Sequence, residues 1–124
     1  MSTEKLLDSL RCLQGDRKRI LRRMTQNNKL AMGTVSSVYR KCGNPRCHCT
    51  CGGEGHPQTL FLFKDKKSGK RICKLIRRAD EGWMMEAGRR YKQFREDIKT
   101  LRAIDKEEKQ ILMALAEMRA IRYE

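Results

Sequence analysis

Cys42-Gly43-Asn44-Pro45-Arg46-Cys47-His48-Cys49-Thr50-Cys51-Gly52-Gly53-Glu54-Gly55-His56 is the stretch on which the reading of this chain turns. It packs four thiols and two imidazoles into a run that also holds four of the nine glycines. Thiolate and imidazole groups converging on one point make a tetrahedral structural zinc site. Glycine and Asn-Pro let a backbone turn tightly around such a centre and aim amides at the sulfurs. The expected ligand set is Cys42, Cys47, Cys49 and His56 around one structural Zn2+. Cys47 and Cys49, two apart, can face the same way across a short turn, and His56 stands ahead of a proline that leads into the next element. Cys51 competes with Cys49 and is the alternative fourth ligand, and His48 competes with His56. A catalytic zinc would want an open position and a general base. Glu54 is the one carboxylate in this loop, and neither H-E-x-x-H nor H-x-E…P-C-x-x-C occurs. A structural ion is therefore expected. Cys12 and Cys73 read as small buried residues.

Outward from this segment the pattern is α+β. Residues 3–24 read as an amphipathic helix. Leu6, Leu10, Leu13, Ile20 and Met24 form one stripe broadened by Leu7 and Leu21, with Ser2 or Thr3 as cap. Asn27, Asn28 and Gly33 break it before a short strand at Thr34–Arg40. Beyond the cysteines, Thr59–Phe63 and Arg71–Ile76 read as a hairpin across the polar turn Asp65-Lys66-Lys67-Ser68-Gly69. Leu60 and Leu62 point one way and Phe61 and Phe63 the other, so one face must be covered. From Asp80, a plausible N-cap, to about Tyr123 the chain reads as helix. Ala87, Tyr91, Phe94, Ile98 and Leu101 make a coiled-coil-like seam. Continuing that seam would place Asp105 and Glu108 inside, while apolar residues resume at Ile104, Ile111, Leu115 and Met118. A stammer, a kink or a helix–turn–helix near Asp105 is the expectation. Three segments result: a basic helix over 1–32, a zinc knuckle with β-hairpin over 33–78, and a helical coiled-coil region over 79–124.

With 124 residues, 39% apolar and 6% aromatic, the chain is poor in core material and suited to a metal staple. Its charge is uneven. Residues 1–78 hold 19 Lys and Arg against 5 Asp and Glu, whereas residues 79–124 hold 10 of each, so the whole net charge of +14 lies in the first part. That asymmetry points to a polyanion-facing part joined to a neutral, self-associating part. Three basic patches result. The first helix offers Arg17, Lys18, Arg19, Arg22 and Arg23, and the knuckle offers Arg40, Lys41 and Arg46. The hairpin and its exit offer Lys64, Lys66, Lys67, Lys70, Arg71, Lys74, Arg77 and Arg78. Contacts of this type grip phosphates with strong salt dependence. The expected role is nucleic-acid binding, DNA ahead of RNA. The alternative is an adaptor with a structural zinc and a coiled coil, binding a protein partner or a second copy through 80–124. No nucleophile–base pair, paired carboxylates or phosphate loop points to an enzyme. Met1–Leu10 has no secretory pattern and no run is apolar enough to span a bilayer, so a cytoplasmic setting with reduced thiols is expected.

The run Val38-Tyr39-Arg40-Lys41-Cys42-Gly43-Asn44-Pro45-Arg46-Cys47-His48-Cys49, followed by Gly55-His56-Pro57, resembles a family of small uncharacterised prokaryotic zinc-knuckle proteins. Their signature reads Y-R-K-C-G-x-P-x-C-x-C, then H-G-P. In that family a hairpin with a G-K-x-R-type turn and a helix with an aromatic-x-x-aromatic pair follow. Gly69-Lys70-Arg71 and Tyr91-Lys92-Gln93-Phe94 correspond here. The resemblance covers residues 33–100 and implies the ligand set Cys42, Cys47, Cys49 and His56, together with an association with mobile elements. The extra Cys51, and Pro57 directly after His56, depart from the signature.

Overall fold

The computed structural model describes residues 2–53 and 55–123, apart from the side chains of Thr50 and Cys51. Its elements are helix α1 (Thr3–Met24), strand β1 (Thr34–Arg40), a 3₁₀ turn (His48–Cys51), strands β2 (His56–Lys64) and β3 (Arg71–Ile76), a second 3₁₀ turn (Arg78–Asp80) and helix α2 (Glu81–Met118). The fold is α+β, as the patterning predicts. Two compact units share α2: one spans Asn28–Lys92, and the other joins Met1–Asn27 to Gln93–Glu124.

The first unit holds a three-stranded antiparallel sheet in the order β1-β2-β3. The register runs from Thr34 opposite Leu62 to Arg40 opposite His56, and from Thr59 opposite Ile76 to Lys64 opposite Arg71. β2 starts three residues earlier than its β-leaning run suggests. Pro57 donates no backbone hydrogen bond, yet β3 pairing has already stopped at Thr59, so at Pro57 the strand has one neighbour and needs no second donor there. The hairpin turn closes through Asp65 N to Lys70 O (2.9 Å) and Gly69 N to Asp65 O (2.8 Å). Gly69 takes φ 71°, the left-handed region that glycine enters without cost.

Side chains alternate along each strand, and one sheet face meets the start of α2. Ala31, Met84 and Ala87 are buried there against Val35, Phe61 and Ile76, and the Phe61 and Phe63 rings stack at 4.9 Å. The covering element that the two-faced β2 demands is therefore α2 itself. Asp80 ends the preceding 3₁₀ turn, where its carboxylate accepts from Trp83 Nε1 at 3.0 Å and from Arg77 Nε at 3.2 Å. Met84 goes into the core, but Trp83 stays half exposed, with Lys29 Nζ 5.7 Å from its ring centre.

Gly33 lies where the chain enters β1. A Cβ there would sit 2.2 Å from the Leu62 carbonyl oxygen and 2.8 Å from the Phe61 ring, and backbone cannot yield as a flexible side chain would. Gly33→Ala is expected to destabilise this unit by about 1–3 kcal/mol, read as a lower urea midpoint. An unchanged midpoint would show that the approach is not tight.

The second unit pairs α1 with the later part of α2 in antiparallel fashion. In α1 the positions 6, 10, 13, 17, 20 and 24 step by four and three, a heptad seam with Arg17 inside it. In α2 the partner seam is 97, 101, 104, 108, 111 and 115, with Asp97 and Ile104 buried. The acids that threaten to break the helix near Asp105 are thus answered across the seam. Arg17 donates to both Glu108 carboxylate oxygens at 3.3 Å and lies 3.7 Å from Asp105. Arg23 Nε donates to Asp97 Oδ2 at 3.1 Å, and Gln93 Nε2 to Asp97 Oδ1 at 3.0 Å. α2 therefore runs past Asp105 as one helix rather than a helix–turn–helix.

Candidate metal centre

Four donor atoms, the sulfurs of Cys42, Cys47 and Cys49 and a ring nitrogen of His56, lie within 4.8 Å of one another. Each arrives by a different local device. Cys42 follows the end of β1, and His56 is the first residue of β2, directly opposite Arg40 in the ladder. The sheet thus presents two of the four donors. Cys47 closes a turn over Asn44-Pro45-Arg46: its amide donates to Asn44 O at 3.0 Å, and the Asn44 side-chain oxygen accepts from Arg46 N at 3.0 Å. Cys49 is carried by the 3₁₀ turn His48–Cys51 and is only 1% exposed.

Gly55 has φ 92° and its missing Cβ would lie 2.6 Å from the Arg40 carbonyl carbon and oxygen. Only glycine lets the returning loop pass this close to β1 and hand His56 to the ladder. This requirement depends on the pairing of residues distant in sequence, so the loop composition alone does not single Gly55 out from its neighbours.

The separations bring the four donors near the spacing that one tetrahedral ion would set. Metal–sulfur bonds of about 2.3 Å and metal–nitrogen bonds of about 2.0–2.1 Å imply S···S near ~3.8 Å and S···N near ~3.6 Å. Cys42 Sγ and Cys49 Sγ are 3.5 Å apart, and Cys47 Sγ and His56 Nε2 are 3.0 Å apart. A shared cation would replace these close thiol contacts with bonds to itself. The four residues could therefore hold a metal ion, with three soft sulfurs and one imidazole as its donors.

Local electrostatics already favour thiolate at one sulfur. The Cys49 backbone amide and the His56 ring hydrogen-bond Cys47 and lower its pKa to about 6. Cys49 behaves in the opposite sense. A backbone hydrogen bond from Cys42 pulls its pKa down, but burial and the adjacent sulfurs outweigh that and raise it. A bound cation would overcome this penalty, because coordination deprotonates a thiol outright.

Of the competing ligands, His48 is exposed and outside the cluster, with Nδ1 3.9 Å from Cys47 Sγ. The Cys51 side chain lies outside the described residues. Cys12 and Cys73 are exposed and stand apart from the cluster, against the expectation that they are buried; each occupies a solvent-facing position on its element.

The expected phosphate-binding residues divide by environment. In α1, Arg17 and Arg23 face the acids of α2, and Arg19 pairs with Asp16 on its own helix; Lys18 and Arg22 are exposed. Asp97 draws Arg23 into its charged form: the hydrogen bond and charge of the carboxylate raise the guanidinium pKa. Around the sheet the picture differs. Arg77 pairs with Asp80. Arg40, Lys41, Arg46, Lys64, Lys66, Lys67, Lys70, Arg71, Lys74 and Arg78 meet no carboxylate among the described residues, and all are exposed. β1, β2 and β3 contain no acidic residue. Lys74 Nζ rests 5.9 Å from the Phe63 ring centre.

Among the described residues, no helix is long and apolar enough to cross a membrane. Comparison with models of protein families, with curated proteins and with solved structures gives no match.

Proposed function

We propose that this protein is a zinc-stabilised nucleic-acid-binding module, acting on DNA in preference to RNA, with a binding rather than a catalytic role. The observation that carries the reading is the contrast in charge pairing. The arginines of α1 are largely spent on carboxylates, whereas the cations of the knuckle and sheet stand exposed with no carboxylate partner among the described residues. Like charges held together without counter-charges repel one another, and a polyanion relieves that repulsion while releasing its own counterions.

Zinc is the ion of choice for a Cys3His set: its d¹⁰ shell imposes no geometry beyond four-coordination, and no redox step accompanies binding. Bound by Cys42, Cys47, Cys49 and His56, it would pin the β1 end to the β2 start and hold Arg40, Lys41 and Arg46 on a rigid loop. The resemblance to zinc-knuckle proteins associated with mobile elements is consistent with a partner role beside DNA-processing machinery.

Binding of the zinc-loaded protein to DNA is expected to weaken linearly in log affinity against log salt. Replacing Lys66, Lys67 and Lys70 by Ala together is expected to lower that slope by about 2.7, at ~0.9 for each phosphate that is no longer neutralised. Salt-insensitive binding, or none to DNA or RNA, would defeat the reading. It would favour an adaptor role instead, for which the half-exposed Trp83 and the exposed Leu30 and Met32 offer apolar surface.

A further inference from the structure

The sheet has a second face, opposite to the one covered by α2, and alternation assigns its residues. Ser36, Leu60 and Leu75 form one cross-strand row, and Leu62 and Cys73 the next. The central Leu60 is shielded, but Leu62 is 40% and Leu75 63% exposed. Arg40 stands at one end of this face, and the Lys64–Arg71 pair at the other. A short aliphatic and hydroxyl centre is thus bounded at both ends by cations that have no carboxylate partner among the described residues.

We infer that this face is the surface that docks on double-stranded DNA, in the major groove; the inference rests on the nucleic-acid reading above. Three features select that partner. First, a base-stacking platform needs aromatics, yet Tyr39, Phe61 and Phe63 all fall on the opposite face by register. Single strands are therefore poorly served. Secondly, the dimensions suit B-form DNA. The outer strands lie about 10 Å apart, so with its strands along the groove the face fits a width of about 12 Å. From His56, opposite Arg40, to Lys64 is about 26 Å of strand. Over that length the groove curves away from a straight strand, so the cations at its two ends meet the flanking phosphates. The major groove of A-form RNA is too deep and narrow to admit such a face. Thirdly, the centre matches what the groove displays: Leu62 and Leu75 suit thymine methyl groups, and the Ser36 hydroxyl can bond a base edge. An acidic protein would satisfy the cations equally, but the hydroxyl and aliphatic centre with no aromatic anchor is a poor protein hot spot.

The test uses the full-length, zinc-loaded protein and fluorescence anisotropy with a mixed-sequence DNA duplex, its single strand and the matching RNA duplex. The duplex DNA is expected to bind most tightly. Leu75→Glu, at an exposed site, is expected to weaken it at least about tenfold, with the circular dichroism spectrum and melting temperature kept. Lys64→Ala with Arg71→Ala is expected to weaken it similarly and to lower the salt slope by about 1.8. Tyr39→Ser, at an exposed site on the other face, should leave affinity within about twofold. Equal or tighter binding of single strands or RNA overturns the duplex assignment while the nucleic-acid reading stands. A loss confined to Tyr39→Ser overturns the choice of face. Failure to bind any of the three probes overturns both.

Discussion

Replacing Cys49 by Ser is expected to abolish one-to-one zinc binding and to unfold the segment between β1 and β2. Cys49 is the most enclosed donor of the cluster, at 1% exposure, and a serine hydroxyl neither ionises near neutrality nor reaches a soft ion as sulfur does. Structural zinc in small domains has an apparent binding free energy of about 10–16 kcal/mol near pH 7, comparable to the entire stability of a typical domain. The sheet unit has few buried residues with which to compensate: Ala31, Met84 and Ala87 form its core cluster. Loss of the ion should therefore fray the ladder from the Arg40–His56 pair inward, and binding to nucleic acid should fall with it. Metal analysis of the purified variant and amide exchange across β1 and β2 provide the measurement. Cys12→Ser and Cys73→Ser serve as controls and should retain a full zinc complement. Cys51→Ser should also keep one zinc per chain, whereas loss in that variant would move the fourth position from His56 to Cys51. Full zinc in Cys49→Ser would remove the proposed site.

The second large effect is expected in the helical unit. Arg23→Ala should destabilise the α1–α2 pair because Asp97, 2% exposed, then keeps only Gln93 as a side-chain hydrogen-bond donor among the described residues. Stranding a buried carboxylate in this way costs about 1–3 kcal/mol, which is large for a unit whose buried apolar side chains are Leu6 and Ile104. The effect has a signed pH dependence. The Arg23 hydrogen bond, together with that from Gln93 and the guanidinium charge, holds the Asp97 pKa below the usual carboxylate range despite burial. A depressed folded-state pKa contributes stability above the unfolded value of about 3.9 and loses it as pH falls through the folded value. The wild-type advantage over Arg23→Ala should therefore be full at neutral pH and shrink below about pH 4. Thermal melts of both proteins across that range measure it. A constant gap would show that Asp97 is not the group responsible.

Much of this molecule is legible in its chain because the governing signals are local. The α1 stripe with Ser2 as cap, the alternation of β1 and β3, and the Asp65–Gly69 turn are each set within a few residues, and the structure forms them over the expected spans. The ligands are legible for the same reason: thiol chemistry and the tight Asn44–Cys47 turn lie inside one short loop. Elsewhere the deciding partner is distant. β2 reaches back to His56 only because β1 extends to Arg40, a pairing that outweighs the usual demotion of a strand at Pro57. Periodicity alone predicts a stammer, a kink or a helix–turn–helix near Asp105 because Asp105 and Glu108 look unanswered, and Arg17 is the residue that answers them.

By itself the sequence determines the short loop that holds the candidate donors, the three strands, the two amphipathic helices and the confinement of excess positive charge to the first 78 residues, since composition and short-range periodicity are enough for each; the choice of His56 over His48 follows from the β1–β2 ladder. Only the tertiary structure decides which of those cations remain available. A guanidinium is neutralised by whatever carboxylate the fold brings within about 4 Å, and no periodicity in α1 announces that Asp97 and Glu108 will be those carboxylates. The same holds for the two apolar faces of β2: alternation makes both, and packing decides which one α2 covers and that Leu62 and Leu75 stay exposed on the other.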